Sequence, residues 1–227
     1  MAIQKFELLE QAWVIFQKDF RLEFRTRFAI NAIVLFAVTA LVVVSFSIGG
    51  AELSPSLLAS LLWVVLFFSA MSGLAHIFIR EEEQQTADTL RLVVKPSAVF
   101  LGKWVFNLIL LYGLELIIIP LFFVFLNVKT VNFPAFMVIL LSGSLGMCSV
   151  ATIVAAIISK ASGRGALYSV LSFPISMTIL VSAINGSKLA FMNRPFLDCF
   201  TDLQILLSFS VVIITASVLL FDFIWRD

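Results

Sequence analysis

The sequence of 227 residues is poor in charge, since only 13% of its residues are Asp, Glu, Lys or Arg. That is about half the share found in ordinary soluble domains. The chain has one histidine and two cysteines, and its 15 basic and 14 acidic residues leave a formal net charge of +1. These shortages exclude a water-soluble globule, a disordered chain and a polycation that binds nucleic acid. The spacing of the cysteines and the histidine fits no metal site.

Most of the uncharged residues are apolar. They make up 61% of the chain, which includes 24 Phe, and the mean hydropathy is +1.10. Six segments have the roughly 20 apolar residues that a transmembrane helix needs. They are 28–48, 57–79, 104–126, 131–159, 165–184 and 203–225. Because no alternation of period two is present, the sequence predicts an all-α membrane protein of six transmembrane helices in one domain, 1–227.

The basic residues are distributed unevenly around these spans. Twelve flank the side that holds both termini and three flank the other side. The twelve are Lys5, Lys18, Arg21, Arg25, Arg27, Arg80, Arg91, Lys95, Lys103, Lys160, Arg164 and Arg226, and the three are Lys129, Lys188 and Arg194. The positive-inside rule therefore predicts that both termini are cytoplasmic. The first apolar run begins only at Phe28 and is longer than a signal-peptide core, so we expect an uncleaved anchor.

Before the first span, residues 4–26 show the three- and four-residue spacing of an amphipathic helix. The apolar face is bulky and mostly aromatic, with Phe6, Leu9, Trp13, Phe16, Phe20 and Phe24. With charges interleaved, this helix cannot cross the bilayer. We expect an interfacial elbow helix whose aromatic face anchors in the lipid bilayer and whose basic groups lie near headgroups. The alternative is a helical flank of the first span.

The segment 80–97 is the longest predicted cytoplasmic connection, and it begins Arg80-Glu81-Glu82-Glu83. Its composition favours a short helix from about residue 82 to 93, after which Pro96 interrupts it and Ser97 is a plausible N-cap for the next helix. Apolar residues lie within this helix, at 90, 92 and 93, although no lipid faces them. Such a surface is typical of a docking site. The alternative is a solvated hairpin.

One acidic residue, Glu115, falls in the middle of the third predicted span. A charge at that depth costs about 2.5–3.5 kcal/mol on insertion. Glu115 should therefore face the bundle interior or an interface, where Tyr112, one turn earlier, could supply a hydrogen bond. A structural interface and a proton relay both remain open. His76, near the end of the second span, is interpreted as a packing residue rather than a haem ligand.

Several short stretches resemble a known family. Residues 20–25 (Phe-Arg-Leu-Glu-Phe-Arg) resemble the start of the permease subunits of type-2 ABC exporters. Residues 80–90, followed by 96–97 and 102–103, are similar to their cytoplasmic coupling segment. The small size, the six spans without a fused ATPase and Leu-Trp-Val at 62–64 resemble CcmB, the haem exporter permease family of cytochrome c maturation. The chain also lacks a phosphate-binding G-x-x-x-x-G-K-[ST] run.

This resemblance implies a non-catalytic permease subunit in the bacterial inner membrane. It implies a homodimer that engages a separate ATP-binding subunit, together with a haem-handling membrane protein, a small single-span subunit and a periplasmic haem chaperone. ATP would be bound by the partner, and haem would be a transported or handled ligand rather than a resident cofactor. The residues implied at the ATPase groove are Arg80, Glu81, Glu82, Glu83, Thr86 and Leu90. A drug or glycan exporter permease, or a pure scaffold, is the alternative.

Overall fold

The computed structural model describes residues 2–159 and 164–226, and within them the side chains of all but 2–6, 164–166, 169 and 226. These residues form helices and no strand. The helices are α1 (Ala2–Thr26), α2 (Phe28–Ile48), α3 (Pro55–Gly73), α4 (His76–Glu83), α5 (Ala87–Val93), α6 (Pro96–Phe125), α7 (Phe133–Ile158), α8 (Arg164–Phe191) and α9 (Phe200–Arg226), with a 3-10 turn at Phe196–Cys199.

Within residues 2–159 and 164–226, six helical stretches are long and apolar enough to cross a membrane, as the sequence predicts. They are Phe28–Ile48, Pro55–Glu83, Pro96–Phe125, Phe133–Ile158, Val170–Phe191 and Phe196–Trp225. The central helix is α7, which packs against α8, α9 and α6, while α3 packs between α2 and α8. Because α7 is surrounded in this way, its stretch is the most buried of the six. The all-α, six-span fold is confirmed.

A sharp bend separates α1 from α2. Arg27 lies between them in the left-handed region, with φ 54°. Across the bend, a carboxylate oxygen of Glu23 accepts a hydrogen bond from the backbone N–H of Ile30 at 3.0 Å. Since the first N–H groups of a helix have no partner within the helix, this contact satisfies one of them from α1. The bend lets α1 pack against α6 instead of continuing the line of α2.

The aromatic residues of α1 follow one another along the helix. The ring centroids of neighbouring pairs lie 5.1 Å apart for Trp13 and Phe16, 5.7 Å for Phe16 and Phe20, and 4.4 Å for Phe20 and Phe24. Phe16 is buried against the bundle, whereas the other three are exposed. The side chain of Phe6 lies outside the described residues. An exposed aromatic row is what an interfacial helix presents to lipid, and the interfacial position itself stays a prediction.

The prediction of one helix over residues 82–93 is wrong. The second span continues through α4 to Glu83, and the chain then breaks at 84–86, where Gln85 has a φ of 54°. Helix α5 begins only at Ala87. The next helix begins at Pro96 with Lys95 as its N-cap, so the cap predicted at Ser97 is also wrong. Proline suits the first helical position, because its fixed φ fits and its missing N–H has no helical partner there.

The second difference concerns residues 185–202, whose mixture of apolar and polar residues predicts a short interfacial or re-entrant helix pair. Helix α8 instead continues to Phe191, seven residues beyond the predicted end of the fifth span at 184. A turn and the 3-10 turn at Phe196–Cys199 lead directly into α9. The amide of Asn185 donates to the Asp202 carboxylate at 2.8 Å, which joins the two helices across this turn.

Candidate functional site

The segment 80–97 lies at the end of the bundle where α1 and the last turns of α9 also lie, which we call the charged end. The turn after α4 is exposed, including Glu83 and Thr86. At the end of α5 the apolar side chains of Leu92 and Val93 are 88% and 73% exposed. These four residues form what we call the exposed tip of the segment. An exposed apolar pair on the same short segment as an exposed carboxylate and an exposed hydroxyl has the composition of a docking surface.

Beneath the exposed tip, a lysine is enclosed by three helices. The ammonium group of Lys103 in α6 lies 3.2 Å from a carboxylate oxygen of Asp19 in α1 and 3.1 Å from one of Glu81 in α4. It also donates to the carbonyl of Ile77 at 3.0 Å. Lys103 and Asp19 are fully buried and Glu81 is 4% exposed. Charges this deeply buried are tolerated when they are paired and hydrogen-bonded, as they are here.

Three further residues complete this group. Lys18 pairs with Glu81 and lies 3.4 Å from Asp19. Arg80 approaches Asp19 at 3.7 Å and Glu23 at 3.8 Å. We call the six residues the ion cluster: Lys18, Asp19, Glu23, Arg80, Glu81 and Lys103. With three positive and three negative side chains it is neutral as a whole.

The ion cluster joins α1, α4 and α6 to the turn that leads into α5. The hydroxyl of Thr86 donates to the Glu81 carboxylate at 2.5 Å, and the backbone N–H of Thr86 donates to the Glu81 carbonyl at 3.0 Å. Removing one partner of a buried ion pair costs about 3–5 kcal/mol, because the other charge is left uncompensated. The turn at 84–86 is therefore connected to α1 and α6 through short polar contacts.

A close approach of backbones allows these charges to meet. A Cβ atom on Gly102 would lie 2.6 Å from the carbonyl oxygen of Ala12 and 2.8 Å from the Cβ of Ile15. Real Cβ atoms are not found so near a backbone oxygen, so α1 can lie against α6 only with glycine at this position. Lys103 is the next residue in the chain, and its buried partner Asp19 is two turns along α1 from Ala12.

The helix α5 is fixed on its other side by Arg91. The guanidinium donates to Glu82 at 2.9 Å and to Asp88 at 2.5 Å, and it lies 5.2 Å from the ring centroid of Trp225 in α9. This arrangement combines charge-assisted hydrogen bonds with a cation–π contact. The segment 80–97 thus contacts the final helix as well as the first one.

The six residues that the family resemblance implies at an ATPase groove differ in their burial. Glu83 and Thr86 are exposed, whereas Glu82 and Leu90 are half-buried and the Glu82 carboxylate is bonded to Arg91. Arg80 and Glu81 belong to the ion cluster and point inward. Of these six residues, Glu83 and Thr86 therefore lie at the surface, whereas Glu81 lies beneath it.

Sequence reasoning missed Asp19, Glu23 and Lys103 as members of this site. The signal available was the i,i+4 pair of acids on α1, since Asp19 and Glu23 share one face beside the aromatic row. Within the sequence, both belong to the charges interleaved with the apolar residues of an amphipathic helix, which are typical of a solvated face, although both are buried. Lys103 was counted only as a basic flank of the third span. Its partner on α1 is 84 residues away in the chain, and no local pattern joins the two.

Glu115 lies apart from the ion cluster, between α6 and α7. It is 4% exposed, and one of its carboxylate oxygens accepts a hydrogen bond from the hydroxyl of Ser144. Tyr112 does not serve Glu115 as the sequence suggested, because its hydroxyl donates to the carbonyl of Leu141 at 3.0 Å. Both residues line a groove of about 410 Å³ between the two helices. An interface role for Glu115 remains a hypothesis.

The histidine and the cysteines lie in unrelated places. The ring of His76 contacts that of Phe28 edge-on, with centroids 4.4 Å apart. Cys148 and Cys199 are buried and unpaired. In the ranges 2–159 and 164–226, no group of three His, Cys, Asp or Glu side chains is arranged to hold a metal ion.

Two comparisons with known proteins bear on this site. A family model described as CcmB protein matches residues 10–223, nearly the whole chain, and the match includes the ion cluster and the segment 80–97. No curated protein matches the chain.

Proposed function

Because the chain belongs to the CcmB family of ABC transporter permease subunits in cytochrome c maturation, we propose that it converts ATP hydrolysis by a separate subunit into movement of its own helices. The family consists of multi-pass inner-membrane subunits that assemble with an ATP-binding subunit and are generally non-catalytic. In this proposal the movement drives haem export or the release of a haem-loaded periplasmic chaperone. Haem is a handled ligand, and ATP is bound by the partner.

The observation that supports this proposal most strongly is the pairing of the exposed tip with the ion cluster. Leu92 and Val93 present apolar surface at the charged end, and Glu83 and Thr86 add polar contacts beside it. Directly beneath them, Thr86 is bonded to the buried Glu81. A partner that binds the tip and changes shape during nucleotide turnover would therefore pull on the buried cluster. The scaffold alternative gives no reason for that connection.

Two helices would carry the movement into the membrane. Lys103 is part of α6, so a shift of Glu81 acts on the third span, and Asp19 is part of α1, which leads into the first span. Arg91 extends the same link to Trp225 at the end of α9. Packed polar contacts transmit small displacements because an interface of this kind has few alternative arrangements.

The orientation and the further partners belong to the same proposal. The charged end would face the cytoplasm, in keeping with the excess of basic residues on that side, and so would both termini. A second copy of the chain, a haem-handling membrane protein and a small single-span subunit would complete the complex. The exposed row of Trp13, Phe20 and Phe24 would place α1 at the membrane surface.

The test uses the chain co-expressed with its ATP-binding subunit and reconstituted in lipid nanodiscs. Leu92→Asp and Val93→Asp each place a charge in the proposed contact. We expect the affinity between the subunits to fall by about tenfold, which corresponds to about 1.4 kcal/mol. The matched control is Leu197→Asp, since Leu197 is 79% exposed but lies at the opposite end of the bundle.

Binding is measured by titration of the ATP-binding subunit, and ATP turnover is measured in the same samples. The proposal is supported if the two variants at the exposed tip lose both affinity and permease-dependent turnover while the control keeps them. If all three variants bind and hydrolyse like the parent protein, the tip is not the docking surface. A separate variant in which the ion cluster is disrupted tests the coupling. If that variant binds the ATP-binding subunit normally and its ATP turnover is unchanged, coupling through the cluster is refuted.

A further inference from the structure

A groove beside the ion cluster runs between α1, α2 and α6, and Glu23 of the cluster is one of its lining residues. Its volume is about 290 Å³, and its walls are almost entirely hydrocarbon. Six of the lining residues are Phe20, Phe24, Ile33, Val34, Ile109 and Ile117. Four of these six, the two phenylalanines, Ile109 and Ile117, are exposed, so the groove opens sideways onto the surface of the bundle. In a membrane, that surface meets the hydrocarbon of the lipid.

One of the residues lining the groove is Gly113, an exposed glycine that the packing of the chain does not explain. A Cβ atom on Gly113 would meet nothing within 4 Å, whereas at Gly102, Gly143 and Gly186 it would collide with a neighbouring helix. Glycine in the interior of a helix is less favourable than alanine, because it loses more conformational freedom on folding. Gly113 does not allow a closer approach of two helices. Its lack of a side chain leaves open space in the groove.

The basic residues near the C-terminal end of α1 indicate what kind of molecule the groove could bind. Arg21, Arg25 and Arg27 are exposed, and in the described part of the chain no ion pair is formed by any of them. Lys18, only three residues before Arg21, is by contrast taken up in the ion cluster. Arg21 and Arg25 directly follow the groove residues Phe20 and Phe24 in the chain, and Arg27 is three residues beyond Phe24. Three guanidinium groups without an ion pair at this position are suited to a phosphate group at the lipid surface.

We propose that this groove binds an anionic phospholipid, with one acyl chain lying over Gly113 and the headgroup phosphate held by Arg21, Arg25 and Arg27. The lipid fills the space that α1, α2 and α6 leave between them. It thereby supports α1 next to its polar contacts with Arg80 and Lys103. The occupant is a lipid rather than a second copy of the chain, because an apolar helix would leave the three arginines without counter-charges.

The first experiment measures the phospholipid that stays bound to the intact, purified protein by native mass spectrometry, after exchange into nanodiscs of phosphatidylglycerol and phosphatidylcholine. The variant Gly113→Leu fills the groove without touching the backbone of a neighbour. Its control is Val124→Leu, which adds bulk to the same helix at a residue that is exposed and lies outside the groove. We expect the groove variant to lose the retained phosphatidylglycerol and the control to keep it.

The second experiment replaces Arg21, Arg25 and Arg27 by glutamine, one at a time. Each change should weaken phosphatidylglycerol binding by about fivefold, the effect of one basic residue at an anionic surface, and leave phosphatidylcholine unaffected. Equal retention of lipid by Gly113→Leu and the parent protein would overturn the proposal. So would a preference for neither headgroup, or a Gly113→Leu variant that retains lipid but becomes monomeric, which would assign the groove to a second copy. Helix content by circular dichroism shows that each variant is folded.

Discussion

The two ends of the bundle differ in the burial of their ion pairs. At the charged end, six ionic side chains are collected in one cluster, and Lys103 and Asp19 in it are fully buried. At the opposite end, Glu52 and Lys129 form an ion pair that is largely exposed to solvent. Buried pairs hold helices together because breaking them leaves a charge without solvent, whereas exposed pairs contribute about 0–1 kcal/mol. Ion pairs therefore hold the helices together at the charged end, whereas the exposed pair at the opposite end contributes little to the packing of its loops.

The largest effect is expected for Lys103→Met. This change leaves Asp19 and Glu81 without their central counter-charge in a buried site, so the free energy of unfolding should fall by about 3–5 kcal/mol. Thermal unfolding followed by size-exclusion chromatography of the detergent-solubilised protein measures the loss.

The control for that variant adds Asp19→Asn to Lys103→Met, which removes a negative charge together with the positive one. The double variant should recover part of the lost stability, because one fewer charge is uncompensated. A Lys103→Met protein that unfolds at the same temperature as the parent would show that the cluster does not hold the charged end together.

The next effect tests how closely α1 approaches α6. Gly102→Ala places a methyl group against the Ala12 carbonyl, at the 2.6 Å separation that the backbone fixes. Overpacking of this kind costs about 1–3 kcal/mol, and it should also separate Lys103 from Asp19. The matched control is Gly113→Ala, which meets no neighbour and should stabilise the helix by about 0.5–1 kcal/mol. Equal stability of the two variants would contradict the close contact between α1 and α6.

The sequence predicts the transmembrane spans better than it predicts the ion cluster. The six spans are evident because long apolar runs have few alternatives to a transmembrane helix. The ion cluster is not evident, because in the sequence Asp19 and Glu23 look like residues on the solvent-exposed face of α1. Only the packing of α1 against α6 places Lys103 beside Asp19. The break at 84–86 was missed for a related reason. Local propensity favours helix there, and the contact of Thr86 with the buried Glu81 decides otherwise.

A smaller effect is expected for Arg91→Lys. Lysine keeps the positive charge but cannot bond Glu82 and Asp88 in a planar fork while lying over Trp225. Because Arg91 is only half-buried, the loss of stability should be about 0.5–2 kcal/mol. If the link between α5 and α9 carries movement, permease-dependent ATP turnover should fall more than subunit affinity does. Turnover and affinity that fall together would mean that Arg91 only shapes the docking surface.

The smallest effect is expected at the opposite end, for Glu52→Gln. The hydrogen bond and charge of Lys129 hold the pKa of the Glu52 carboxyl below its ordinary value of 4.5. A lowered pKa means that the contribution of the pair is present above the ordinary value and is lost as the pH falls through the lowered one. Thermal unfolding curves of Glu52→Gln and the parent protein should therefore coincide at neutral pH, since the pair is exposed and screened. A clear difference at pH 7, as large as that of Lys103→Met, would mean that the opposite end is also held by its charges, and the contrast between the two ends would fail.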